Sequence, residues 1–126
     1  MNQAILIMIG GGLGSLLRYG VSISTSMVLG RSFPYGTLTV NLLGSFLMGL
    51  LSIFLLERFS NQSDHLRALW LIGFLGGFTT FSSFSIETFN LLESGEILKG
   101  LLNVISNVGL CLLAVSLGVL IGRRIG

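Results

Sequence analysis

Charge is what this chain has least of. Its 126 residues include seven Lys or Arg and five Asp or Glu, so 10% are charged. A soluble domain averages about 25%. So few charges cannot coat a water-exposed surface, and the solvent for most of the chain is lipid. Cysteine occurs once, as Cys111, which excludes an intrachain disulfide. Histidine occurs once, as His65 in a polar loop, so there is no Cys/His metal cluster. No serine–histidine–acid set and no phosphate loop is visible, and enzyme chemistry has no support. The formal charge of +2 is too small to argue for nucleic acid. Apolar runs do not alternate with period two, which disfavours a β-barrel.

Long hydrophobic runs are present instead. Crossing the ~30 Å hydrocarbon core takes roughly 20 apolar residues. Four runs of that kind nearly exhaust the chain, at about Ala4 to Leu29, Gly36 to Leu56, Ala68 to Leu92 and Gly100 to Ile121. The expectation is one all-α membrane domain over 1–126, with four transmembrane helices. The start, MNQAILIMIGGG, lacks a basic leader region and reads as retained helix. Its glycines follow no strand, which argues against dinucleotide binding. Arg31 and Pro34 fall in the first loop, and ERFSNQSDHLR, Glu57 to Arg67, is the most polar stretch. Trp70 reads as an interface anchor. Arg58, Arg67, Arg123 and Arg124 fall on the side of the termini, against Arg31 and Lys99 opposite. Four against two favours cytoplasmic termini only weakly, and leaves insertion in both orientations open.

Glycine is abundant, 18 residues. Small residues recur four apart: Gly10 and Gly14, Ser45 and Gly49, Gly73 and Gly77, Gly118 and Gly122. Each pair lets helix backbones approach. Packing accounts for any one of them; together they imply tight association, and contacts between subunits stay open.

Polar residues inside the runs need a reason, because an unsatisfied polar group in a bilayer costs several kcal/mol. The second run carries Asn41 and Ser45. The fourth carries Asn103, Asn107 and Cys111 at i, i+4 and i+8, a single stripe. The third contains GGFTTFSSFS, Gly76 to Ser85, which is poor continuous helix. A break there frees carbonyls at membrane depth, where they must be buried in protein or bound to an ion or water. Unwound carbonyls are one way to hold Na⁺. Phe81 and Phe84 share one face at i, i+3. Core packing explains them, and so does an anion path lined by positive ring edges. Within the spans the clearest charges are Arg18 and Glu87.

Three segments carry a family resemblance: GGLGSLLRYG (Gly11 to Gly20), GTLTVNLLGSFLMG (Gly36 to Gly49) and GFLGGFTTFSSFSIET (Gly73 to Thr88). The chain resembles the Fluc, or CrcB, fluoride channels over essentially its whole length. The resemblance implies a multi-pass protein of the bacterial inner membrane that exports cytoplasmic fluoride passively. It implies an antiparallel, dual-topology homodimer with two pores. It also implies a central structural Na⁺ held by backbone carbonyls of Gly76 and Thr79 at the break in helix 3. By motif position, Phe81 and Phe84 match the paired pore phenylalanines, and Asn41 the pore asparagine of VNxxG. Ser82 and Ser83 match the hydroxyl positions between the rings, where many relatives have serine then threonine. Thr80 adjoins them. Asn103 and Asn107 stand where many members have tyrosine and then serine. Arg18 matches the family's helix 1 arginine, either attracting anions to a vestibule or anchoring its helix. Glu87 continues the Phe84 face, tuning a vestibule, pairing with a polar neighbour, or sitting as a plain interfacial carboxylate.

Two other readings compete. A small drug/proton antiporter is another short four-helix class, but it needs an embedded carboxylate where helix 1 has Arg18. A non-transporting membrane assembly subunit predicts no ion flux.

Overall fold

Four long apolar helices dominate the computed structural model, which describes residues 2–57 and 63–125. Helix α1 (Gln3–Leu29) starts on Asn2, whose Oδ1 accepts the Ala4 N–H at 2.8 Å. It stops at Gly30, where φ of +86° suits a residue without Cβ. Helix α2 spans Tyr35–Glu57, directly after Pro34. Helix α3 (63–78) joins one α-turn, Ser63–Leu66, to a wide i→i+5 stretch, Arg67–Leu75, and a last α-turn, Gly76–Phe78. Helix α4 is Phe81–Glu93. Helix α5 (Ile97–Ile125) contains a second wide-turned stretch, Ser106–Leu110.

The third span therefore breaks near its middle, as expected, but not at the glycines. Gly76 and Gly77 are helical. The extended residues are Thr79 (φ −87°, ψ 160°) and Thr80 (φ −152°, ψ 121°). A β-branched pair takes extended backbone readily, and Thr80 then caps α4, its Oγ1 accepting the Ser83 N–H at 3.2 Å. His65, expected in a loop, lies in the turn Ser63–Leu66. Arg58, counted above in the charge tally, lies outside the described residues.

The hairpin between α4 and α5 is set by Gly95, at φ +86°. The Glu96 N–H reaches back to the Leu91 carbonyl at 2.8 Å, closing the end of α4. That folds the start of α5 against α4.

Close backbone approach organises the rest. A Cβ on Gly10 or Gly14 would strike the backbone of α3 at Leu69 and Phe74. A Cβ on Gly49 would strike Val115, and one on Gly118 would strike Phe46, so α2 and α5 are in reciprocal contact. Gly77 meets Gly11, and Gly122 meets Ile53. These glycines thus serve packing inside one chain, the reading favoured for each pair taken singly. Lipid tails are as apolar as leucine, so fit rather than water exclusion favours such contacts. The buried core is correspondingly small: Leu55, Leu71 and Leu75 cluster together, with Val40, Ile53, Ala68, Phe78 and Phe84 also buried among the described residues.

Candidate functional site

The break in the third span leaves backbone groups to satisfy, and Asn41 on α2 satisfies two of them. Its Oδ1 accepts the Thr80 N–H at 2.8 Å, and its Nδ2 donates to the Thr80 carbonyl at 3.0 Å. One side-chain amide thus pairs with one residue's backbone as a neighbouring strand would. The second Nδ2 hydrogen goes to Asn107 Oδ1 at 3.0 Å. A primary amide has two N–H donors, so both hydrogens of Asn41 are spent.

Arg18 reaches the same break from α1. Its Nε donates to the Gly77 carbonyl at 3.0 Å. This gives the arginine a partner within the protein, at the last turn of α3. Thr79 closes that turn, with its N–H and its Oγ1 each donating to the Leu75 carbonyl at 3.0 Å.

The carbonyls of Gly76 and Thr79 are among those at the break that lack a helical partner. The N–H four residues beyond Gly76 is that of Thr80, which goes to Asn41. The one four beyond Thr79 is that of Ser83, which goes to Thr80 Oγ1. Neutral carbonyl oxygens suit a hard monovalent cation, so this donor set fits Na⁺. Gly76 is exposed and Thr79 half-buried.

Past the break, Phe81 and Phe84 touch, with ring centroids 5.3 Å apart and planes at 58°. Their environments differ: Phe84 is buried, whereas Phe81 is 75% exposed. Core packing accounts for Phe84 alone. A cavity of about 430 Å³ is lined by both rings together with Asn41, Thr80, Asn107 and Cys111. Ser82 is exposed, with its Oγ 3.4 Å from Thr80 Oγ1. The Ser83 hydroxyl is uncommitted among the described residues. Neither serine lines that cavity; the hydroxyls that do are those of Ser45, Thr79 and Thr80.

Asn103 and Asn107 are both buried and joined to one another. Asn107 Nδ2 donates to the Asn103 carbonyl at 2.9 Å and to Asn103 Oδ1 at 3.0 Å. Asn103 Nδ2 then donates to Thr88 Oγ1 at 2.8 Å. Thr88 was not singled out from the sequence. Its position four residues after Phe84 was the available signal.

Glu87 stands apart from this group. It lines a second cavity of about 510 Å³, with Ser26, Arg31, Asn90 and Ser94. The Thr37 side chain lies beside its carboxylate. Its Oε1 is buried and has no hydrogen-bond partner among the described residues.

Comparison with known proteins matches residues 5–119 to the family described as CrcB-like protein, Camphor Resistance (CrcB). The chain is 55% identical over 123 residues to the fluoride-specific ion channel FluC of Coxiella burnetii, covering 98% of this chain and 99% of that protein. It is 52% identical over 118 residues to the FluC of Shewanella baltica, 94% of each chain. Against the FluC of Magnetococcus marinus it is 49% identical over 123 residues, 98% of this chain and 99% of the relative.

Proposed function

This chain belongs to the CrcB family of multi-pass membrane proteins, and from that premise we propose that it is a fluoride-specific channel of the bacterial inner membrane. It is a channel and not an enzyme. One observation carries the reading. In a chain so similar to FluC proteins, the paired rings and the amide-capped break face a single cavity.

The path is lined chiefly by neutral groups. Fluoride gives up part of its hydration and gains hydroxyl donors from Ser82 and Ser83. The positive edges of Phe81 and Phe84 supply weak attraction without a full charge that would hold a small hard anion. Asn41 shapes the path by fixing Thr80, and Asn107 holds Asn41 in turn. Arg18 secures the turn before the break and adds positive potential at its approach. Glu87 sits in the separate cavity near Arg31, at a vestibule. Flow follows the electrochemical gradient.

The functional unit is an antiparallel homodimer. The exposed ring of Phe81 and the free carbonyls of Gly76 and Thr79 are surfaces that a second copy completes. Those carbonyls, with their counterparts in the partner, would hold Na⁺. The bound ion supplies a point of positive charge shared by the facing oxygens.

The test is efflux from liposomes containing the purified chain. Fluoride should leave and chloride should be retained. Chloride efflux at a comparable rate would sink the proposal.

A further inference from the structure

The hydrogen bonds that begin at the break continue through three helices and return to the half-helix they started from. Asn41 Nδ2 on α2 donates to Asn107 Oδ1 on α5. Asn107 Nδ2 donates to Asn103 Oδ1. Asn103 Nδ2 donates across to Thr88 Oγ1 on α4. The Thr88 hydroxyl donates to the Phe84 carbonyl at 2.8 Å. Every donor points the same way, away from the break.

Both ends of this relay are backbone groups, which cannot reverse their roles. At one end, Thr80 offers an N–H and a carbonyl, so Asn41 must turn Oδ1 to the first and Nδ2 to the second. At the other end the Phe84 carbonyl only accepts, so Thr88 must give its proton there and receive from Asn103. The three amides between have one orientation that satisfies both ends. Asn103 is fully buried, Asn107 is 6% exposed and Thr88 9%, so water is a poor substitute along most of the line.

We propose that Thr88 is a positioning residue for ion passage, closing a one-way relay that fixes the Asn41 amide on the break and, with it, the pitch of the half-helix bearing Phe81 and Phe84. The relay holds that half-helix at Thr80 and again at Thr88, on either side of the two rings. Thr88 does not line the described cavity, so it acts through Asn103, Asn107 and Asn41. This inference rests on the channel reading, and its test separates the two.

Fluoride efflux from liposomes should be compared for the natural chain, Thr88→Ser and Thr88→Val. Valine keeps the shape, removes the acceptor and strands a buried Asn103 N–H. Efflux should fall about tenfold with valine and stay within about twofold with serine, which restores the hydroxyl. Wild-type efflux from Thr88→Val overturns the proposal, and so does a serine variant as slow as the valine one. If the natural chain passes no fluoride, the channel reading fails instead. The relay itself is then read without flux or substitution, from deuterium exchange of the Asn41 and Asn107 side-chain amides in the natural chain. Protected amides support it; exchange at the solvent rate overturns it.

Discussion

Phe81 and Phe84 illustrate how much a single position's surroundings decide. Both are phenylalanines three residues apart and in contact, yet one is buried and the other exposed. The exposed ring has little to lose in packing within the chain, and isoleucine keeps an apolar side chain for a second copy to pack on, so that replacement chiefly removes the ring's electrostatic part. Phe81→Ile should lower fluoride efflux by about tenfold, because an aliphatic side chain has no quadrupole. The dimer should stay intact on size-exclusion chromatography; unchanged efflux would remove the ring from the mechanism. Asn41 behaves differently from a generic pore donor. Its type and depth were legible in the sequence, but its commitment was not. Whether an amide hydrogen is free depends on which backbone groups the break presents, and that follows from the extended Thr80. Thr88 was hidden for a similar reason. A threonine bonded to the carbonyl four residues back usually satisfies only itself, and its second role as acceptor needs Asn103 on another helix.

Among the elements, the four apolar helices were readable because length and composition alone set them. The break was readable in kind and falls inside the stretch expected, at its two threonines rather than its glycines. Glycine's weak helix propensity was outweighed by close packing, since Gly77 fits against Gly11 on α1 while helical. Thr79 and Thr80 carry the extended backbone instead. The small-residue pairs read as close helix packing, and the glycines among them make helix contacts within the chain. Spacing announces close approach without naming the partner. Gly118 makes a direct test, because a Cβ there meets the backbone of α2 at Phe46 and at 2.9 Å from the Leu50 nitrogen. Gly118→Ala should destabilise the folded chain by about 1–3 kcal/mol. Gly20→Ala, mid-helix where a Cβ meets nothing within 4 Å, should instead keep or raise stability, by up to about 1 kcal/mol. Denaturant unfolding in detergent checks both, and equal midpoints would refute the α2–α5 contact as a stability determinant.

For the whole molecule, the proposed Na⁺ site at the Gly76 and Thr79 carbonyls would tie assembly to an ion rather than to side-chain charge. Exchanging Na⁺ for a large organic cation should weaken the dimer at least about tenfold in dissociation constant. Sedimentation or native mass spectrometry reads the shift, and a dimer indifferent to Na⁺ would rule out that tie. The wide-turned stretch Ser106–Leu110 also has a consequence at this scale. Four residues overshoot an α-turn of about 3.6 residues and fall short of the wider i→i+5 turn. Setting one kind of turn against the other cancels the error, as opposed gradations do on a vernier. Asn103, Asn107 and Cys111 then run as a straight polar seam along α5 instead of winding around it. A straight seam can stay in register with a straight neighbour for its full length, whereas a winding one would soon point its amides at lipid.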